Sequence, residues 1–245
     1  MPNLADGGLA LPADDPANTP PSEENDAESF TVNSPRSYVT FALMAVNIAV
    51  FLAMVASGVD FFKPTGWDAV RWGGNYKPLT TSGQWWRLVT SMFLHFGVIH
   101  LAFNMYALLQ VGRYLEPLLR RRRYLFAYFA TGIAASLVSL WFHSDNSVSA
   151  GASGAIFGLF GIELAVATTD FFPEDYAKKM RSSMLTLIGV NLFLGWQLGL
   201  DNAAHIGGLV TGFVFGYIYF RAVRSQRPPP NYPVGTDTTQ YKVRF

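Results

Sequence analysis

Cysteine is missing from all 245 residues, which excludes disulfides, thiolate catalysis and cysteine-held metals. Charge is the second shortage. Lys and Arg number 18 and Asp and Glu 17, together 14% of the chain, against about 25% in an average soluble domain. That is too little to wet a compact globular surface. A formal net charge of +1 supplies no general basic field, which argues against nucleic-acid binding. Bases are almost missing from residues 1–36, where Asp6, Asp14, Asp15, Glu23, Glu24, Asp26 and Glu28 face only Arg36. This stretch has no apolar core, so it reads as a disordered acidic tail and not as a signal peptide. Residues 223–245, with Pro228–Pro230, read as a second flexible tail.

Apolar residues make up 50% of the chain. A bilayer core of about 30 Å is crossed by about 20 mostly apolar helical residues. Six runs lack Lys, Arg, Asp and Glu and approach or exceed that length: Ser37–Val59, Leu88–Gly112, Tyr124–Ser144, Asn146–Ile162 (continuing past Glu163), Ser182–Leu200 and Asn202–Phe220. They predict an all-α membrane protein with six transmembrane helices in residues 37–222. Arg113 and Arg120–Arg123 follow the second run, and Arg221, Arg224 and Arg227 follow the sixth. Lys178, Lys179 and Arg181 fall between the fourth and fifth. The positive-inside rule puts these on the cytoplasmic side, with both termini there. The segment Asp60–Arg87, rich in Trp and Gly, reads as a structured loop partly embedded at the outer interface.

Polar groups within spans are costly and point to function. The second span holds His95, His100 and Asn104, the last two on one helical face at i, i+4. The fourth opens with Gly151-Ala152-Ser153-Gly154, and the sixth with Asn202-Ala203-Ala204-His205. In the predicted topology these three spans start from the same outer side, so His100, Ser153 and His205 share one layer. A serine needs an adjacent base, for which histidine is suited. The oxyanion of acyl transfer needs donors, which His100, Asn104 and the Ser153 N–H can supply. The nearest acid to His205 is Asp201 in the loop, so the expectation is a dyad and not a triad. Gly208 and Gly212 lie on the His205 face of their helix, with Gly216. Gly154, Gly158 and Gly161 cluster on the Ser153 helix, and small-residue stripes let membrane helices approach closely. Phe157, one turn below Ser153, is placed to pack against the imidazole.

These motifs resemble the rhomboid family of intramembrane serine proteases. The resemblance covers Tyr38 to Arg221 and rests on Trp86-Arg87, on His95 through Asn104, on Gly-Ala-Ser-Gly at 151–154 running to Phe157-Gly158, and on Ala204-His205-Ile206-Gly207-Gly208. Glu116 also matches a frequent position. The resemblance implies a six-helix bundle with Ser153 as nucleophile, His205 as general base and acid, and His100 and Asn104 as oxyanion donors. Gly151, Gly154, Phe157, Gly208 and Gly212 would support the site, and Trp86 and Arg87 would anchor the first loop in the outer leaflet. The implied partners are transmembrane protein substrates, cut near the outer face, and membrane lipid. No cofactor, metal or nucleic acid is expected. The compact six-span core suggests a bacterial inner membrane. Phe157 stands where bacterial relatives often have Tyr.

Two other readings remain at this level. One is a client-binding, non-catalytic rhomboid-like protein, which would ordinarily lack the serine or the histidine. The other is a transporter or proton channel using intramembrane His and Glu, though no pair of broken helices or inverted repeat is evident. Glu163 lies ten residues below Ser153, about 15 Å at helical rise, too far to take part in the chemistry. His95 is expected to be structural, bonding the first loop.

Overall fold

The computed structural model describes residues 37–142 and 147–224. The two predicted tails lie outside the described residues, apart from Val223 and Arg224, which continue the last helix. In chain order the described residues form α1 (Tyr38–Ala56), α2 (Gly66–Trp72), β1 (Asn75–Tyr76), α3 (Lys77–Thr80), α4 (Arg87–Thr90), α5 (Val98–Leu119), α6 (Arg121–Phe142), β2 (Val148–Ser149), α7 (Ser153–Thr168), α8 (Glu174–Gln197) and α9 (Asn202–Arg224). Among them α1, α6 and α9 are long and apolar enough to cross a membrane, and a fourth span results if the bent pair α4–α5 counts as one.

Three boundaries differ from the charge-free runs. The second run does not form one helix. It bends by 95° between the one-turn continuation of α4 and the start of α5. Gly97, at φ +102°, makes the turn in a region that only glycine enters at no steric penalty. The helix then runs beyond Gly112 through Arg113 to Leu119. A single residue, Arg120 at φ +65°, joins α5 to α6. The third difference is α8, which starts at Glu174, so Lys178, Lys179 and Arg181 are helical and not loop residues. Arg181 reaches back to donate to the Ala167 carbonyl at 2.7 Å, satisfying an orphan acceptor at the end of α7.

The first loop is structured, as expected. Asp68 and Thr65 form a reciprocal cap on α2, and bonds from the Thr65 hydroxyl and then its N–H hold the Asp68 carboxyl below its ordinary pKa. Asn75 and Tyr76 pair antiparallel with Ser149 and Val148, which ties this loop to the segment before α7. Arg87 is buried and donates through Nη1 to the Val70 and Gly74 carbonyls at 2.8 and 2.9 Å, and through Nε to Gln84 Oε1 at 2.8 Å. It is an internal staple of the loop. Trp86 is half exposed, with the Arg87 guanidinium 4.7 Å from its ring centre.

α7 occupies the centre. It is buried on nearly all sides, which fits a helix that is apolar all round. Its neighbours approach at backbone distance. A Cβ on Gly208 or Gly212 of α9 would collide with the Gly154 or Gly158 carbonyl of α7, and one on Gly161 with the Leu209 carbonyl of α9. On its other side α7 meets α6. A Cβ on Gly158 would strike Thr131, and one on Gly154 would lie 2.7 Å from Ala135 Cβ. The glycines therefore do not face each other as two matching stripes. Gly208 and Gly212 admit the α7 backbone, while Gly154 and Gly158 admit α6.

At the far end, the buried Glu116 carboxylate of α5 accepts from Val39 N at 2.9 Å and from Thr40 N and Oγ1, both at 2.8 Å. It caps the first turn of α1, where free N–H groups and the helix dipole favour negative charge.

Gly212→Ala is expected to destabilise the protein by about 1–3 kcal/mol through overpacking against rigid backbone. Gly189→Ala, where nothing lies within 4 Å, should be neutral or stabilising by up to about 1 kcal/mol from helix propensity. Thermal unfolding in one detergent compares them, and equal effects would contradict the packing described. Glu116→Ala strands three α1 donors and should destabilise by about 3 kcal/mol or more, with Glu116→Gln losing less in the same assay.

Candidate active site

Ser153 is the first residue of α7, and His205 lies one turn into α9. The glycine-lined contact between these helices brings Ser153 Oγ to 2.9 Å from His205 Nε2. His205 is 4% exposed and Ser153 is half-buried, so the imidazole is shielded while the hydroxyl stays accessible. Phe157 stacks flat on the imidazole, with ring centres 4.3 Å apart and planes 4° from parallel. It limits ring rotation without contributing a hydrogen bond.

Gly151 carries two constraints. Its φ of +136° suits glycine, and a Cβ there would lie 3.0 Å from His100 Cε1. Its N–H donates to the Ser91 carbonyl at 2.9 Å, tying the segment before α7 to the turn after α4. His100 of α5 thus packs directly against the approach to Ser153. Its Nδ1 accepts from the Phe96 N–H at 3.3 Å. An accepting Nδ1 leaves the proton of a neutral ring on Nε2, which lies with Cε1 on the ring edge nearest Gly151. Asn104, one turn further along α5 and buried, donates one amide proton to the His100 carbonyl at 2.9 Å. A second proton remains on its Nδ2.

Gly208 and Gly212 hold the seam between the two helices, and Gly154 gives α6 its close approach to α7. Trp86 and Arg87 stand in the first loop and make no part of the Ser–His contact. His95 does not bond the first loop as anticipated. It is buried, neither ring nitrogen has a hydrogen-bond partner among the described residues, and the ring packs edge-on to His100 at 5.2 Å. Among the described residues no group of three or more His, Cys, Asp or Glu is placed to hold a metal.

Asn202 was not singled out from the sequence. Its Oδ1 lies 3.2 Å from His205 Nδ1. The i, i+3 spacing to His205 was the available signal. Asp201 takes a different part. One carboxylate oxygen accepts from Ala204 N at 2.8 Å, capping α9, and the other accepts from Ser139 Oγ at 2.5 Å.

The chain is similar in sequence to known proteins. Rhomboid protease GluP of Bacillus subtilis (strain 168) is 34% identical over 192 residues, covering 78% of this chain and 36% of that protein. RHOMBOID-like protein 6, mitochondrial, of Arabidopsis thaliana is 35% identical over 172 residues, 69% of this chain and 53% of its own length. Rhomboid-like protease 1 of Toxoplasma gondii is 32% identical over 199 residues, 80% of this chain and 67% of its own. The chain therefore spans only about a third to a half of the first two. A family model described as Rhomboid domain matches residues 82–222, more than half of the chain and the part that carries α5 to α9. The chain belongs to the rhomboid family and is an integral membrane protein.

Proposed function

We propose that this protein is an intramembrane serine endopeptidase that hydrolyses peptide bonds of transmembrane protein substrates near the outer membrane face. The observation that carries the reading is the 2.9 Å contact between Ser153 Oγ and His205 Nε2 across two helices. The relatives named as proteases support it.

In the proposed reaction Ser153 Oγ attacks the scissile carbonyl while its proton passes to His205 Nε2. The carbonyl oxygen becomes negative. His100 Nε2–H, the second amide proton of Asn104 and the Ser153 N–H at the start of α7 are the donors for it. His205 then gives its proton to the leaving amine, which departs and leaves an acyl ester on Ser153. Water adds to the ester as His205 removes one of its protons. Collapse of that intermediate frees the acid product and returns the proton to Ser153.

The topology belongs to the same proposal. We take all six long helices as spans, with both termini cytoplasmic by the Arg-rich loops. α7 has 16 residues, about 24 Å at helical rise and short of a bilayer core of about 30 Å. A helix that starts below the outer surface puts Ser153 in a recess that water and an unwound substrate strand must enter. Outward residues such as Phe103 and Trp141, 72% and 84% exposed, would meet lipid. A bacterial inner membrane is the proposed location.

With a transmembrane reporter in liposomes, Ser153→Ala and His205→Ala should each reduce cleavage to background. A fluorophosphonate should label the unaltered protein and not the Ser153→Ala variant. Undiminished cleavage by Ser153→Ala would exclude the proposal.

A further inference from the structure

The ring nitrogen of His205 that faces away from Ser153 is not left to chance. Asn202 lies three residues earlier on the same helix, and its Oδ1 is 3.2 Å from His205 Nδ1. An amide could present either end to that nitrogen. The choice is made on α8. Asn202 Nδ2 lies 2.9 Å from the Leu192 carbonyl, and a carbonyl only accepts, so the nitrogen end must point there. Oδ1 is therefore the end turned to the histidine. Facing an acceptor, Nδ1 must carry the proton of the neutral ring, and Nε2 is left bare toward Ser153.

The line Leu192 carbonyl, Asn202 amide, His205 ring, Ser153 hydroxyl has one permitted direction at each link. All of its protons point toward α8. Gly195 makes the seat for it, since a Cβ there would collide with Asn202 Oδ1. Asp201 turns its two carboxylate oxygens to Ala204 N and Ser139 Oγ, while the acceptor seen at His205 Nδ1 is Asn202 Oδ1.

We propose that Asn202 is a positioning residue for the reaction, locked by the Leu192 carbonyl and seated against Gly195, and that it holds His205 as the Nδ1–H tautomer. The proposal rests on the reading of Ser153 and His205 as the reacting pair. It makes the competence of the base depend on where α8 lies. α8 is largely exposed, with Ala177, Met180, Ile188 and Gly195 its buried residues. Separation of α8 from α9 removes the acceptor at Leu192. A flipped amide then offers N–H to Nδ1, the ring proton moves to Nε2, and the face toward Ser153 no longer accepts a proton.

The test uses full-length protein with 15N-labelled histidine in micelles and a transmembrane reporter in liposomes. The His205 resonances are identified by their loss in His205→Ala. The unaltered protein should show a protonated Nδ1 and a bare Nε2. Asn202→Ala should give a tautomer mixture and a kcat lowered by about tenfold or more, part of the 10²–10⁴ that a general base supplies, with KM unchanged. Asn202→Asp keeps an acceptor at Nδ1 and should restore the Nδ1–H form and most of kcat. Gly195→Ala, which leaves α9 intact, should reproduce the Asn202→Ala tautomer mixture and carries the test if Asn202→Ala fails to fold. A wild-type kcat in Asn202→Ala, a loss confined to KM, or a fallen kcat with an unchanged tautomer each overturns the proposal. If Ser153→Ala is inactive while Asn202→Ala is normal, only this proposal fails. If Ser153→Ala is active, the reading of the site fails with it.

Discussion

The backbone contact between α7 and α9 sets the geometry on which the rest depends. Membrane helices carrying ordinary side chains pack with axes about 8–10 Å apart, and a serine on one seldom reaches a histidine on the next. Here Gly208 and Gly212 let α9 lie against the carbonyls of α7, while Gly161 lets α7 lie against α9. The Ser153–His205 hydrogen bond follows from that approach. So does the stacking of Phe157, which can cover the imidazole from α7 only because the axes are close. The interaction behind the site is dispersion between closely packed atoms, the main attractive force between helices where lipid is as apolar as the side chains.

Around this contact the buried polar groups divide by proton direction. His100 receives a proton at Nδ1 from Phe96 and His205 faces an acceptor at Nδ1 in Asn202. The two rings are therefore held in opposite tautomers. One turns a donor toward the Ser153 region and the other an acceptor. In the proposed reaction, two copies of one residue type would serve as donor and acceptor, with the difference residing in their neighbours. The 95° bend before α5 contributes here. It frees the Phe96 N–H from helical bonding and leaves it for His100.

Much of this was legible in the sequence. Ser153, His205, His100, Asn104 and Phe157 were named from the polar positions within the spans and from the family resemblance; of these, Ser153 and Phe157 both contact His205, and His100 packs beside Gly151. Element boundaries were less legible, because freedom from charge measures lipid tolerance and not backbone path. The run Leu88–Gly112 is uniformly uncharged yet turns at Gly97. α5 and α8 run on through Arg113 and through Lys178 to Arg181, where a helix no longer faces only lipid. The parts that stayed hidden depend on partners remote in the chain. Glu116 matched a frequent position, but its bond to Thr40 spans 76 residues. Asn202 could be seen beside His205, but the Leu192 carbonyl that orients it is a backbone atom with no sequence signature. The glycine stripes were visible as stripes, and which neighbour each one admits was not.

The Gly158–Gly212 contact also bears on how this protein can change. Any coding substitution at Gly212 adds at least a Cβ, and the first atom added meets a backbone carbonyl that cannot move aside as a side chain would. No graded series of small steps leads away from that residue. Positions such as Ile99, Phe103 and Tyr106 on the exposed side of α5 contact no comparable obstacle and can exchange among apolar types. Drift should therefore be unevenly distributed, nearly halted along one helical seam and rapid around the perimeter, with the boundary between the two regimes drawn by backbone proximity and not by distance from Ser153.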